Sequence, residues 1–235
     1  MKTLRLFWPA LLLCAVLLSA FRMAAVRETR SVGSFTSVGL AGSMKVVVRQ
    51  GSPQKVEVEG EAEDVAHVET TVDNNRLRIN TKRQNGTWGY RYKGPITVYV
   101  TLPTVRSLAV SGSGSLQAPE ALQADDLDLA VSGSGSINLA RVTATSISSA
   151  LSGSGSIEAS GAAPQHNISV SGSGGVKAPK LESKTCSISI SGSGNCQVRA
   201  TELLKASIMG SGNVYVSGNP QVKSSVMGSG RVRQE

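Results

Sequence analysis

Aromatic rings and cations meet in one short stretch of this sequence, Thr87–Lys93. Trp88, Tyr90 and Tyr92 share one parity, and Lys82, Arg83, Arg91 and Lys93 surround them. On extended backbone alternate residues face the same side, so the three rings form a strip. That strip holds half of the chain's 2 Trp and 4 Tyr residues. If exposed, such a strip stacks on sugar rings or anchors a protein partner. Trp88, Tyr90, Arg91, Tyr92 and Lys93 are therefore the candidate ligand-binding residues. The competing reading is a hairpin that packs the same rings onto the rest of the fold. Asn85-Gly86-Thr87 also has the form of a glycosylation acceptor.

Other reactive types are sparse or badly spaced for catalysis. Glycoside cleavage needs paired carboxylates in a groove, and the C-terminal half concentrates its aspartates in one connector, Asp125, Asp126 and Asp128. Gly112-Ser113-Gly114 recurs along the chain, which marks a structural repeat rather than a single nucleophile elbow. His166 and Cys186 fall at equivalent places in successive repeats and could touch, but Ile147 and Leu204 flank them in the same column. A buried, unreactive pair is the expectation. Calcium-binding repeats place Asp where this chain has Ser, Asn, Gly or Arg, and the 2 His are not spaced with Cys as zinc ligands. No cofactor, metal or catalytic residue is expected. Cys186 and Cys196 point inward from opposite walls of one repeat, which leaves a disulfide and a pair of small apolar fillers as alternatives.

What must position these residues is set by Ser-Gly-Ser-Gly, present at residues 111–114, 132–135, 152–155, 171–174 and 191–194, with Met for the first Ser at 209–212 and 227–230. The first glycines (Gly112, Gly133, Gly153, Gly172, Gly192, Gly210 and Gly228) are 21, 20, 19, 20, 18 and 18 residues apart. A period near 20 is that of a stacked solenoid, in which no coil buries its own apolar face and each leans on its neighbours. Two residues before these glycines stand Val110, Val131, Leu151, Val170, Ile190, Ile208 and Val226. Four residues after them stand Leu116, Ile137, Ile157, Val176, Cys196, Val214 and Val232. Six residues before them, Leu127, Ile147, Cys186, Leu204 and Val222 are apolar, with Arg106 and His166 as exceptions. The alternation has the strand period of two. It places glycines inward, as repeated structural corners, and the neighbouring serines outward. Pro119–Asp126, Pro179–Thr185 and Ser217–Gln221 read as return connectors. The expected fold is all-β: a single-chain parallel β-helix with coils of ~20 residues, stacked ~4.8 Å apart into a rod roughly 30 Å long.

Aromatic residues make up 4% of the chain, too few for an ordinary globular core, whereas small β-branched side chains fill a narrow coil. Residues 1–20, with Lys2, Arg5 and the apolar run Leu6–Leu18, read as a secretory signal peptide, with cleavage as late as residue 25. The run is too short for a stable membrane span. Cys14 invites a lipoprotein reading, but Leu13 stands where a small residue belongs. Removing Lys2 and Arg5 lowers the formal charge by two from +8, and no Lys/Arg run forms a nucleic-acid stripe. The expected location is the periplasm, the outer-membrane surface or the extracellular space.

Residues 32–104 form a β-rich N-terminal segment before the repeats of 105–235. Met44–Val48 and Val56–Glu59 read as strands joined by a hairpin turn at Gln50-Gly51-Ser52-Pro53. Glu61–Val68 reads as a short helix or crossover, and Asp73-Asn74-Asn75 as a turn into Leu77-Arg78-Ile79. The segment either caps the first edge of the solenoid or winds as irregular coils. Arg231, Arg233 and Glu235 place charge at the far edge, against end-to-end pairing.

Gly42-Ser43-Met44-Lys45-Val46-Val47-Val48, then Gly51 and Lys55-Val56-Glu57-Val58-Glu59-Gly60, resemble the opening of the auto-transporter adhesin head (GIN) domain family. Leu77-Arg78-Ile79, Val98-Tyr99-Val100-Thr101-Leu102-Pro103 and the Ser-Gly-Ser-Gly coils continue the likeness across roughly residues 32–232. The resemblance implies a secreted or envelope β-helical protein of bacteria, commonly of the Bacteroidetes type, and brings no catalytic residues. The expected function is a non-enzymatic adhesion or binding module at the bacterial envelope. Its partner would be a glycan or another cell-surface component, and not nucleic acid. A structural envelope protein without a ligand site is the alternative, and a polysaccharide-active enzyme a distant third.

Overall fold

Stacked parallel coils form a β-solenoid of about 6 turns. The computed structural model describes residues 25–82 and 90–235. Each coil contributes one inward residue to each apolar column, and columns align because neighbouring strands pair in register. Val110, Val131, Leu151, Val170, Ile190 and Ile208 are consecutive partners on the wall before the corner. Leu116, Ile137, Ile157, Val176, Cys196 and Val214 are consecutive partners on the wall after it. All twelve are buried. At about 1.5–3 kcal/mol for each buried aliphatic side chain, these ladders are the main attraction between coils.

The expected connectors are themselves largely strand. Pro119–Asp126 lies within the continuous strand Ser115–Gly133, where Ala121, Leu122, Gln123 and Ala124 pair with Arg141, Val142, Thr143 and Ala144. A register shift between Leu139 and Arg141 marks the bend into this third wall. Pro179–Thr185 likewise lies within Gly175–Gly192. Only Ser217–Gln221 is an open link between strands, turned by Gly218 and Asn219 at φ of 101° and 63°.

Every first glycine of the repeated motif has positive φ, from 107° at Gly112 to 128° at Gly210. At the corner, Ser173 and Gly174 both donate their N–H to the carbonyl of Gly153 in the previous coil, each at 2.9 Å. Gly42 (φ 115°) makes an eighth corner of the same kind, and its carbonyl accepts from Ser113 and Gly114. The serines flanking Gly172 are exposed, as are those at the other Ser-Gly-Ser-Gly corners.

The N-terminal segment departs from its expected hairpin. Lys45–Gln50 pairs in parallel with Thr97–Leu102, and Lys55–Gly60 pairs antiparallel with the other edge of Thr97–Leu102. A strand from about fifty residues later in the chain is therefore inserted between the two expected hairpin partners. Ser37–Gly42 and Lys45–Gln50 form a regular coil, joined to the repeats through Ser107–Gly112 and Ser115–Gln117. Arg76–Thr81 and Thr97–Leu102 lie one level further out, parallel to that coil. Beyond them, Val68–Asp73 and the pair Lys55–Gly60 with Val26–Arg30 close the end with antiparallel strands. Asn74 and Asn75, at φ of 49° and 59°, make the tight turn between Val68–Asp73 and Arg76–Thr81. The helix Ala62–Ala66 buries Val65, whose carbonyl accepts from Arg30 Nη2 at 2.7 Å. At the far end, Val222, Val226 and Met227 of the last coil remain exposed.

Cys186 and Cys196 are both free and buried, so the disulfide alternative is replaced by two thiols filling apolar columns. Burial pushes both thiols up to about 12, which leaves them protonated and unreactive. His166 is in register with Cys186, but its hydrogen-bond partner is Ser149.

Candidate ligand-binding site

Among the described residues, the outer coil made by Arg76–Thr81 and Thr97–Leu102 has no glycine corner. Residues 82–96 connect its two walls instead, and of these the structure describes Lys82 and Tyr90–Ile96. Trp88 lies outside the described residues, as do residues 1–20 with Cys14. Below this connection, Met44 fills the place that the second corner glycine occupies in later coils, and it is buried. Its Sδ accepts a 3.6 Å contact from the Tyr92 hydroxyl, which also pairs with Thr81 Oγ1 at 2.9 Å. Tyr92 is partly buried and packs against the core.

Asp64, in the helix Ala62–Ala66, anchors the segment. It is 0% exposed, and a fully buried carboxylate is costly unless its oxygens are satisfied. Oδ1 accepts from the Tyr90 hydroxyl at 2.8 Å, and Oδ2 from the N–H groups of Lys93 at 2.9 Å and Gly94 at 2.8 Å. Burial disfavours the charged carboxylate, but the Gly94 amide, the Tyr90 hydroxyl, and the Lys93 amide and ammonium together outweigh it. The carboxyl is held below its ordinary value of 3.8. Tyr90 is pushed up to about 12 by burial and by its bond to Asp64, so the phenol stays protonated as the donor. Its ring stacks on His67 at 3.7 Å between centroids with 7° between planes, and meets Tyr92 edge-on at 5.4 Å. His67 is fixed in turn by donating from Nδ1 to the Glu63 carbonyl at 2.8 Å. The Lys93 ammonium pairs with Glu63 at 2.6 Å.

The structure thus draws Tyr90, Arg91 and Tyr92 around one hollow and turns Lys93 away from it. The hollow measures about 450 Å³, and Ser43, Met44, Tyr90, Arg91, Tyr92 and Ile96 line it. Arg91 is exposed and, among the described residues, makes no ion pair. The hydroxyls of both tyrosines are committed inward, so the hollow offers ring surface, a guanidinium and backbone polar groups. Sequence reasoning missed Asp64, His67 and Met44. The available signal was slight: Asp64 stands beside Glu63 in an acidic first turn, and only its contacts 26 to 30 residues away distinguish the two.

A larger depression of about 540 Å³ runs along the outer face of the wall before the corners. It exists because Ala109, Ala130 and Ala150 are small and stand in register, with Arg76 and Arg78 at one end. Arg78 is paired with Asp73 at 3.0 Å. The depression is lined mainly by small aliphatic side chains and serines and offers no ring, so the Tyr90–Tyr92 hollow is the better candidate despite its smaller volume. The aspartates Asp125, Asp126 and Asp128 border a hollow of about 220 Å³ with Arg106 beside them.

Residues 34–220 match the family described as "Putative auto-transporter adhesin, head GIN domain". The chain belongs to that family. No curated protein matches it. Among solved structures, a "putative adhesin" of Bacteroides fragilis superposes on this GIN-domain chain with a TM-score of 0.81 at 20% identity, covering 90% of this chain and 97% of its own. A "putative lipid binding protein" of Parabacteroides distasonis gives 0.73 at 22% identity, covering 90% and 96%. A "putative adhesin" of the same species gives 0.73 at 22%, covering 91% and 98%. At these identities the likeness establishes a shared solenoid. Among the described residues of the GIN-domain chain, no helix is long and apolar enough to cross a membrane.

Proposed function

We propose that this GIN-domain protein is an exported, non-enzymatic adhesion module of the bacterial envelope that recognises glycans at the Tyr90–Tyr92 hollow. The observation that carries the reading is the hollow itself, about 450 Å³ with two aromatic rings and the exposed Arg91 in its lining. Rings that are immobilised by Asp64, His67 and Thr81 present their surface with little entropy left to lose on binding. The rigid stack beneath holds that surface at one end of a rod, as an adhesive head requires. The inward commitment of both phenols favours a second reading, a structural envelope rod whose rings only seal the first coil.

A glycan-array screen of the mature chain separates the two. A bound glycan is expected, and Arg91→Ala should weaken it roughly tenfold, about 1.4 kcal/mol, with an unchanged circular dichroism spectrum. An array with no binder, or binding indifferent to Arg91→Ala, would leave the structural reading standing. Export rests on Met1–Ala20. Mass spectrometry of the protein from its native envelope should find an unacylated N-terminus near Phe21 or Val26; a retained Met1 would overturn export, and a diacylglyceryl group on Cys14 would overturn the unacylated N-terminus.

A further inference from the structure

Three polar side chains interrupt the apolar columns in the middle of the stack, His166, Ser149 and Ser183, and the first two meet. His166 stands in the ladder of Leu127, Ile147, Cys186 and Leu204, and is 2% exposed. Ser149, also 2% exposed, takes a place held in neighbouring coils by Leu129, Ile168 and Ile188. His166 Nε2 lies 3.0 Å from Ser149 Oγ, so the two satisfy each other across adjacent coils. We propose that this pair is an acid-released latch: protonation of His166 opens the coils on either side of it and uncouples the C-terminal coils from the N-terminal ones.

Among the described residues, no acidic side chain pairs with His166 to compensate a positive charge. Its in-register neighbours are Ile147 and Cys186, and the inward residues of the strands stacked against it include Leu151, Ile157 and Val176. The titratable groups inside these coils are the thiols of Cys186 and, on the opposite wall, Cys196, both kept neutral by burial. Glu182 and Lys184, just before Cys186 in its strand, are exposed. Protonation therefore leaves a buried charge with no counter-ion, the circumstance that most strongly favours opening to water.

Burial holds His166 down at about 4, against an ordinary value of 6.5. The folded form carries the neutral ring, so the unfolded form binds more protons between these values. The latch is fully engaged above pH 6.5 and is lost as pH falls toward 4. Relative to pH 7, an opening that wets His166 becomes about 20-fold more populated at pH 5 and about 60-fold at pH 4.5. Glu57 and Asp64 lie in the N-terminal segment, away from these coils, and both carboxyls are held below their ordinary 4.5 and 3.8.

Hydrogen exchange read by mass spectrometry, corrected for intrinsic rates, tests the latch on the whole chain. In the wild type, peptides from residues 146–192 should lose about 20-fold of their protection between pH 7 and pH 5. Ser149→Val combined with His166→Leu restores apolar columns and should make that protection independent of pH. Equal loss in both proteins, or none in the wild type, would overturn the proposal. Should the double variant fail to fold at pH 7, the ring signals of a His67→Gln protein decide instead, because His166 is then its one histidine. They should stay neutral in the folded spectrum to near pH 4, and a titration near 6.5 without opening would refute the latch.

Discussion

Gly172→Val should destabilise the solenoid by about 2–6 kcal/mol, enough to melt its middle coils, through backbone strain and overpacking together. Gly172 has φ of 119°, a conformation that a β-branched residue scarcely adopts. A Cβ there would also stand 2.5 Å from the Gly153 carbonyl oxygen, which receives the corner hydrogen bonds of Ser173 and Gly174. Moving that oxygen breaks the bonds that hold one coil to the next. Gly174 isolates the steric part: its φ is not left-handed, yet its Cβ would lie 2.4 Å from Gly155 O and 2.5 Å from Leu151 Cδ2. Gly174→Ala should therefore cost about 1–3 kcal/mol by overpacking alone. The exposed Ser173 gives the control, with Ser173→Ala within about 0.5 kcal/mol of wild type. Denaturant unfolding of the three variants checks the order, and a split transition in Gly172→Val would match a repeat array broken at its centre. If Ser173→Ala proved as damaging as Gly172→Val, the assignment of glycines to the inside and serines to the outside would be wrong.

Asp64→Ala should cost about 2–5 kcal/mol and release Tyr90–Ile96 from the end of the solenoid, because it strands two amides and a phenol. Those donors are the N–H groups of Lys93 and Gly94 and the Tyr90 hydroxyl. Asp64→Asn keeps an acceptor oxygen for the two amides and should recover part of the loss. Because the folded carboxyl is held below 3.8, its contribution is complete above that ordinary value and disappears as pH falls through the lowered one. The wild type should thus lose this anchor only in strong acid, at lower pH than any change at His166. Thermal unfolding at neutral pH is the direct measurement. A shift of under a degree or two in Asp64→Ala would show that the segment is held by ring packing, with the carboxylate incidental.

The coil was legible in the sequence because it is built from local repetition. A strand period of two and a recurrence near 20 residues act identically at every coil, so seven copies of the pattern specify which residues face inward without any knowledge of long-range contacts. The columns through Val110 and Leu116 follow directly from that parity, as do glycines at the corners and serines outside. The connectors were legible only in part, since Pro, Ala and polar residues also suit a solvent-facing wall, and Ala121–Ala124 pair there as strand.

Only the tertiary structure decided how the non-repeating end is assembled. Lys55–Gly60 and Thr97–Leu102 alternate apolar with polar residues and Lys45–Gln50 carries three valines in a row, patterns that set no order of pairing, and the order found places Thr97–Leu102 between the other two. The candidate site depends on contacts that carry no local signature: Asp64 reaches Gly94 across 30 residues, and Tyr92 reaches Met44 across 48. The same holds within the repeats for Ser149 and His166, 17 residues apart in the chain. Periodicity exposes each of them as an exception in its column, but that two exceptions satisfy each other is settled by the stacking that brings them to 3.0 Å. Repetition encodes the rod in the sequence; the departures from repetition acquire a role only from the neighbours that folding supplies.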